Sequence, residues 1–263
     1  MLQQKLNKLK DNLNMFSNKS VVCARSKLFD KHPTRRPRCW RKLLEIDKKF
    51  HVCRHVDTFL DLCGGPGEFA NYTMSLNPLC KAYGVTLTNN SVCVYKPTVR
   101  KRKNFTTITG PDKSGDVFDK NVVFEISIKC GNACDLVLAD GSVDVNGREN
   151  EQERLNFDLI MCETQLILIC LRPGGNCVLK VFDAFEHKTI QMLNRFVNHF
   201  EKWVLYKPPS SRPANSERYL ICFNKLVRPY CNNYVNELEK QFKKYYRIQL
   251  KNLNKLINLL KKI

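Results

Sequence analysis

The stretch "FLDLCGGPGEFANYTMSL", residues Phe59–Leu76, decides the fold of this chain. An apolar run ends on Asp61, a glycine-rich turn follows at Gly64–Gly67, and a segment with helical patterning completes the stretch. A ligand can approach such a turn closely, because glycine has no Cβ and the following helix presents free N–H groups. The stretch therefore predicts a strand–turn–helix unit with a ligand in the turn, although an ordinary turn without a ligand has the same pattern.

Two cofactor classes use a turn of this kind, the dinucleotides and S-adenosylmethionine. The dinucleotide fingerprint is G-x-G-x-x-G, with an acidic residue about 20 positions later on the next strand. Here the glycines read G-G-P-G, and the next strand candidate, "KAYGVTLTNN" (Lys81–Asn90), ends without an acid. A dehydrogenase is therefore a poor fit, and S-adenosylmethionine is the better expectation.

The charge of the chain points to a polyanionic partner. Its 263 residues carry 44 Lys and Arg against 25 Asp and Glu, a net charge of +19. Such an excess favours nucleic acid as a partner, with a generally basic surface as the alternative. No apolar run of about 18 residues predicts a membrane span, and the N-terminus has no apolar signal core, so we expect an intracellular protein. The thirteen cysteines include no C-x-x-C pair and give only a weak argument for zinc, so no metal site is predicted.

Strand and helix patterns alternate along most of the chain. This alternation predicts a Rossmann-like α/β fold, a mostly parallel sheet with helices on both faces. "KWVLYK" (Lys202–Lys207) and "RYLICFN" (Arg218–Asn224) are expected to pair antiparallel, which places one antiparallel strand near the C-terminal end. "RPGG" (Arg172–Gly175) is expected to stop a long buried helix. The other predicted strands are 55–62, 82–87, 105–108, 135–142 and 176–182, and the predicted helices are 68–76, 153–171 and 189–200.

The composition divides the chain into three parts. Residues 1–50 are predicted to form a basic helical extension, residues 51–225 the α/β domain, and residues 226–263 a basic amphipathic helical tail. We expect the tail to pack on the domain; RNA, a membrane surface or a partner helix are the alternatives. Ligands bind at the carboxyl ends of the strands in such sheets, where Asp61, Asp140 and Lys180 all fall.

Five segments together carry a family resemblance. They are "PRCWRKLLEI" (37–46), "DLCGGPGEF" (61–69), "LVLADGS" (136–142), "GGNCVLKVF" (174–182) and "PPSSRPANSERYLICF" (208–223). In this order they resemble the FtsJ-like, S-adenosylmethionine-dependent RNA 2′-O-methyltransferases. The resemblance implies a Rossmann-like methyltransferase sheet at 51–225 and a catalytic tetrad of Lys42, Asp140, Lys180 and Glu217.

The same resemblance implies a set of cofactor contacts. Glu68 and Phe69 stand where the family often has Gly and Trp, and "VTLTNN" offers Thr86 where an acid often bonds the ribose. Asp116, in "GDVFD", would bond the adenine amino group. The implied cofactor-binding residues are Asp61, Gly65, Pro66, Gly67, Glu68, Phe69, Thr86, Asp116 and Asp140.

Methyl transfer to a ribose hydroxyl requires an aligned, in-line attack and the loss of one proton. Lys180 is the candidate for that task, either as the base or as the cation that stabilises the developing alkoxide. Burial and Lys42 favour its neutral amine, whereas Asp140 and Glu217 favour its ammonium form, so the residues leave both roles open. Asp140 would also hold the sulfonium side of the cofactor, Glu217 would orient Lys180, and Lys42 would position the hydroxyl.

The basic N-terminal cluster of Arg35, Arg36, Arg38 and Arg41 is predicted to track RNA phosphates. The terminal extensions and the Asn-, Lys- and Cys-rich composition resemble viral members of the family. They favour the 5′ end of capped mRNA as the substrate, with methylation of the first transcribed nucleotide, and imply action in a host nucleus. The alternatives are ribosomal or transfer RNA as the substrate, and a non-catalytic RNA-binding subunit with the same fold.

Overall fold

The computed structural model describes residues 2–30, 36–89, 91–145 and 147–262. Through these residues runs a seven-stranded sheet in the order β3-β2-β1-β4-β5-β7-β6. The order turns back between β1 and β4, and in open α/β sheets this is where ligands bind. The strands are β1 (Thr58–Leu62), β2 (Lys81–Val85), β3 (Phe105–Ile108), β4 (Cys134–Ala139), β5 (Leu171–Val181), β6 (Phe200–Tyr206) and β7 (Arg218–Lys225).

Helices cover both faces of the sheet and both ends of the chain. A short 3-10 helix at Glu149–Glu151 precedes the longest helix of the sheet region. The α-helices are α1 (Leu2–Leu13), α2 (Asn18–Phe29), α3 (Arg38–Phe50), α4 (Glu68–Leu76), α5 (Pro97–Arg100), α6 (Lys120–Cys130), α7 (Gln152–Cys170), α8 (His187–Val197) and α9 (Val235–Leu260).

The strand directions confirm the predicted sheet. Strands β1 to β5 run parallel to one another. Strand β7 runs antiparallel to both β5 and β6. The sheet is therefore mostly parallel, with one antiparallel strand near the C-terminal end, as the sequence predicts. Its parallel strands end at one common edge, which receives the residues after β1, β2, β3, β4 and β5.

Several boundaries differ from the sequence prediction, and two of these differences have a local structural cause. Strand β1 begins at Thr58 instead of His55, because His55 has a positive φ of 54°, which interrupts extended backbone. The helix before Arg172–Gly175 does stop, at Cys170. The prediction that the next strand begins only at residue 176 is wrong, because β5 begins at Leu171 and includes Arg172–Gly175. Strand β5 includes it, because the ladder to β4 changes register between Cys134 and Leu136 and so accommodates the extra residues.

The core lies on both faces of the sheet. On one face, α3 and α4 contribute Leu43, Ile46 and Phe69 to a buried apolar cluster. On the other face, a larger cluster joins the sheet to α6, α7, α8 and the terminal helices. These two layers fix the positions of α3 and of the strand ends, from which the functional side chains project.

A buried network of charges joins the terminal helices to the sheet. Asp183, just after β5, accepts from Lys10 Nζ of α1 at 2.7 Å and from Arg218 Nη1 of β7 at 3.0 Å. The guanidinium of Arg218 is fully buried and also donates to Gln249 Oε1 of α9 at 2.9 Å. The tail therefore packs on the domain, as expected. In the part of the chain that the structure describes, no helix is long and apolar enough to cross a membrane.

Candidate active site

The glycine-rich loop after β1 is a tight turn that only glycine can form. Gly67 has a φ of +98°, and its N–H donates to the carbonyl of Gly64 at 2.8 Å. A Cβ on Gly65 would lie 1.4 Å from the carbonyl oxygen of Cys93. The Pro66 carbonyl accepts from the N–H of Lys96 at 3.1 Å. The segment after β2 thus packs directly against the loop and fixes its shape.

Asp61 lies beneath this loop and not in front of it. Its side chain is fully buried, and the hydroxyl of Tyr95 donates to its carbonyl at 2.9 Å and to Oδ2 at 3.3 Å. Its Oδ1 has no hydrogen-bond partner within the described ranges. Burial, together with the nearby Asp140 carboxylate, raises the pKa of Asp61 to about 8. Asp61 therefore supports the loop from the protein interior.

The other predicted cofactor-binding residues fall into a buried group and a partly accessible group. Gly67, Glu68, Phe69 and Thr86 are buried. Glu68 forms an ion pair with Lys96, and Thr86 donates to the carbonyl of Cys93. Four predicted residues keep accessible surface at the strand ends, namely Gly65, Pro66, Asp116 and Asp140.

Asp116 follows β3 in a loop that packs against the loop after β2. The preceding Gly115 has a φ of +65°, and a Cβ there would lie 2.0 Å from the carbonyl oxygen of Thr86. Oδ1 of Asp116 accepts from the N–H of Phe118 at 3.0 Å. These contacts hold a carboxylate at the same sheet edge as the glycine-rich loop.

The structure brings the four residues of the predicted tetrad together as two ion pairs. Lys42 Nζ of α3 lies 2.6 Å from Oε2 of Glu217, and Lys180 Nζ at the end of β5 lies 3.0 Å from Oδ1 of Asp140. Lys180 also donates to the carbonyl of Asp140 at 2.5 Å. The sequence suggested that Glu217 orients Lys180, whereas its direct partner in the structure is Lys42.

The electrostatics of the first pair keep both of its members charged. Burial acts to lower the pKa of Lys42, but the Glu217 and Asp140 carboxylates together raise it above its ordinary value. Burial acts to raise the pKa of Glu217, but Lys42, Lys180 and Lys207 hold it at about 2. The pair is therefore an ion pair throughout the physiological range.

Three further residues shape this site, and none of them is among the site residues predicted from the sequence. Tyr219 donates its hydroxyl to Asp140 Oδ1 at 3.0 Å. Lys207 donates to the carbonyl of Glu217 at 2.6 Å and to that of Asn215 at 2.9 Å, so it holds the loop before β7. Burial and the charge of Arg218 lower the pKa of Lys207 to about 7.

The third of these residues, Glu163, is a buried carboxyl on α7. It accepts from the N–H of Gly141, next to Asp140, at 3.1 Å, and burial raises its pKa to about 8 despite the charge of Lys180. A signal for it exists in the sequence, because an acid stands inside the apolar run "MCETQLILIC". Glu163 thus positions the backbone that carries Asp140.

The predicted RNA-binding arginines lie at the start of α3, except for Arg35, which is outside the described residues. The Arg36 guanidinium lies 5.0 Å from the centre of the Trp40 ring, and Arg38 Nη1 lies 3.8 Å from Asp30 Oδ1. Arg41 lines a cavity of about 350 Å³ between α2, α3 and the loop before β7. The three arginines therefore lie on, or just before, the helix that carries Lys42.

A family model and a near-identical protein match this chain. The model for FtsJ-like methyltransferases matches residues 35–225. A protein of Autographa californica nuclear polyhedrosis virus, named cap-specific mRNA (nucleoside-2′-O-)-methyltransferase, is 97% identical over 261 residues, which cover 99% of this chain and 100% of that protein.

More distant proteins share the sequence or the fold. An inactive cap-specific mRNA (nucleoside-2′-O-)-methyltransferase 1B of Caenorhabditis briggsae is 33% identical over 214 residues, 78% of this chain and 25% of that protein. The chain thus spans about a quarter of the length of that relative. A crystal structure titled as a ribosomal RNA methyltransferase from Plasmodium falciparum superposes with a TM-score of 0.51 at 21% identity. It covers 73% of this chain and 100% of that chain, and it shows the fold alone.

Proposed function

The chain belongs to the FtsJ-like methyltransferase family, and on this premise we propose that it methylates the ribose 2′-hydroxyl of the first transcribed nucleotide of capped mRNA. The observation that carries the proposed chemistry is the convergence of Lys42, Asp140, Lys180 and Glu217 into two ion pairs whose charges interact. The near-identical viral protein, which carries the name of a cap-specific enzyme over its full length, supports the choice of substrate.

The residues at the sheet edge fit S-adenosylmethionine, the methyl donor of the family. The closely packed glycine turn after β1 leaves Gly65 and Pro66 accessible, and Asp116 and Asp140 place two carboxylates at the same edge. When bound, S-adenosylmethionine supplies an electrophilic methyl group on a cationic sulfur. We propose that Asp116 accepts from the adenine amino group and that Asp140 faces the sulfonium. Asp61 and Tyr95 support the loop from below, and buried Glu68, Phe69 and Thr86 shape it.

Lys180 is placed to act on the acceptor hydroxyl. Its Nζ lies 3.0 Å from Oδ1 of Asp140 and donates to the carbonyl of Asp140 at 2.5 Å, so Asp140 fixes its position. We therefore propose that Lys180 orients the 2′-hydroxyl and stabilises the negative charge that develops on its oxygen while the hydroxyl proton passes to solvent water. Tyr219 and Glu163 act through Asp140 and the adjoining backbone, so they are positioning residues.

Lys42 and Glu217 complete the acceptor side of the site. Their ion pair is largely buried, and a buried pair holds its geometry better than an exposed one because solvent does not compete for it. Lys42 can thus offer a fixed donor to the ribose, while Glu217 holds Lys42 in place. Arg36, Arg38 and Arg41 lie on the same side, where they are proposed to contact phosphates of the RNA.

The alternatives make different predictions for one experiment. The inactive nematode relative illustrates that the sequence of the family also occurs in a protein named as inactive. A non-catalytic subunit would bind RNA and transfer no methyl group, and an enzyme for ribosomal or transfer RNA would not need a cap. Action in a host nucleus stays a prediction.

The test compares two short RNAs that differ only at the 5′ end. One carries a cap followed by a first nucleotide with a free 2′-hydroxyl, and the other carries a 5′-triphosphate. Each is incubated with the protein and S-adenosylmethionine carrying a labelled methyl group, and nuclease digestion then maps the labelled sugar. We expect label only in the capped RNA, on the 2′-oxygen of the first nucleotide. Equal labelling of both RNAs would point to another RNA class, and absence of label to a binding subunit.

A further inference from the structure

A cavity of about 210 Å³ opens directly beside the proposed acceptor site. Lys180 and Glu217 are among the residues that line it. Other lining residues come from α1, α2 and α9, which lie outside residues 35–225, the part that matches the family model. The terminal helices of this chain therefore complete a compartment next to the proposed acceptor site, whose other lining residues belong to the family domain.

Two buried polar atoms at this cavity have no hydrogen-bond partner within the described residues. Arg25 of α2 and Glu149 both line it, and neither Nε of Arg25 nor Oε2 of Glu149 has a hydrogen-bond partner in the described part of the chain. Burial lowers the pKa of Arg25, and Glu149 is the carboxylate that counteracts this effect, so the two side chains are near each other without an ion pair. One unsatisfied donor and one unsatisfied acceptor are costly unless a ligand pairs with both.

The remaining lining is mixed, with apolar side chains beside polar ones such as Ser142, Gln152 and Asn215. Leu13, Val145, Phe182 and Leu253 contribute the apolar side chains, from four different parts of the chain. Apolar surfaces beside placed polar groups suit a flat heterocycle, and the volume is below the 300–1,000 Å³ or so of pockets for larger ligands. A nucleobase fits this description, because its faces are apolar and its edge carries both hydrogen-bond donors and acceptors.

We propose that this cavity binds the base of the nucleotide whose ribose is methylated. Arg25 donates to a ring nitrogen or carbonyl oxygen of the base, and Glu149 accepts from an amino or imino N–H. The inference rests on the proposed function, which places the 2′-hydroxyl at Lys180. Because the base and this hydroxyl belong to the same ribose, the base must lie within a few ångströms of Lys180, which is where the cavity begins.

The test uses two capped RNAs that differ only in the first nucleotide, which carries either its natural base or no base. We expect the wild-type protein to prefer the natural acceptor by about tenfold to hundredfold in kcat/KM, since charge-assisted hydrogen bonds to the base are lost in the other. Arg25→Ala and, separately, Glu149→Gln should lose most of this preference. Lys27→Ala, which removes an exposed charge two positions along α2, is the matched control and should keep it.

The outcomes separate this inference from the function on which it rests. If the wild-type protein methylates neither RNA, the proposed function fails. If it methylates both equally well, the base subsite is refuted while the function stands. If Arg25→Ala slows both RNAs by the same factor, Arg25 contacts the backbone and the base subsite is again refuted. Glu149→Gln provides a second reading should Arg25→Ala fail to fold.

Discussion

Lys42 and Glu217 lie 175 positions apart in the chain, yet Nζ of Lys42 and Oε2 of Glu217 are 2.6 Å apart. Their contact joins α3, which precedes the sheet in the chain, to the loop that leads into β7, the last strand in chain order. The loop before β7 is held in turn by Lys207, and α3 is held by the apolar cluster on its own face of the sheet. The ion pair therefore depends on the complete fold and not on local structure.

Removing either member of this pair should slow methyl transfer, and removing both should add little. With Lys42→Met or Glu217→Gln, we expect a loss of about 10²–10³-fold in the single-turnover rate, because one partner positions the other. The double variant should lie within a few-fold of the single variants, because residues that act as a unit are strongly non-additive. The exposed pair Lys243–Glu239, whose Nζ and Oε2 lie 2.7 Å apart, is the control, and Lys243→Met should leave the rate unchanged. Additive losses would refute the paired role.

Asp116 should determine cofactor affinity. With Asp116→Ala, we expect the Kd for S-adenosylmethionine, measured by calorimetry, to rise by about 10–100-fold, since a charge-assisted hydrogen bond to the adenine is lost. Asp116→Asn keeps an acceptor oxygen for the adenine and for the N–H of Phe118, and should retain most of the affinity. Asp158→Ala removes an exposed carboxylate from α7 and should have no effect. An unchanged Kd in Asp116→Ala would remove Asp116 from the site.

The buried carboxyl of Glu163 should make stability depend on pH. Its ordinary pKa is 4.5, and burial raises it to about 8 in the folded protein. Between these values the folded state binds more protons than the unfolded state, so the free energy of unfolding falls as the pH rises from 4.5 through 8. Glu163→Gln mimics the neutral carboxyl and should avoid this loss.

Urea unfolding of Glu163→Gln and of the wild-type protein at pH 5 and pH 9 checks this expectation. The two should be similar at pH 5, and the variant should be more stable at pH 9, by a few kcal/mol at most. The raised pKa of Asp61 affects both proteins and cancels in the comparison. Glu239→Gln, at an exposed position, should follow the wild-type trend. The same trend in Glu163→Gln would contradict the assignment.

RNA affinity should fall steeply with salt, because phosphate contacts release counterions. Replacing both Arg38 and Arg41 with Ala should reduce the slope of log Kd against log salt by about 1.4, at about 0.7 for each phosphate contact on single strands. Lys101→Ala with Lys103→Ala, which removes two exposed charges near the β3 edge, should leave the slope unchanged. Equal slopes in the two double variants would place the RNA elsewhere on the basic surface.

The local patterns predicted the sheet and placed Asp140 and Lys180 at strand ends, whereas Lys42 and Glu217 were named through the resemblance to the family. Strands that end in Asp140 or Lys180 place those side chains at one sheet edge whatever the exact packing. The partners within the tetrad could not be predicted, since the choice of Lys42 over Lys180 by Glu217 depends on side-chain directions set by α3 and β7.

Burial explains the other differences. Asp61 lies near the end of a strand, as Asp140 does, but the glycine-rich loop folds over it and buries it. The pattern of apolar and polar residues along the strand does not show which strand end a loop will bury. Glu163 is hidden for the same reason, because α7 packs behind the backbone of Gly141. The terminal helices were predicted as helices, yet the packing of α1 and α2 against α9 results from contacts between the two ends of the chain.

The most direct test of the central claim measures methyl transfer and cofactor binding on the same sample of Lys180→Ala. We expect the single-turnover rate on capped RNA to fall by about 10²–10⁴-fold, while the Kd for S-adenosylmethionine stays close to that of the wild-type protein. Lys180→Arg should not restore the rate, because a planar guanidinium cannot replace a compact ammonium at Asp140. Near-normal transfer by Lys180→Ala would contradict the assignment of Lys180 and, with it, the proposed mechanism of the tetrad.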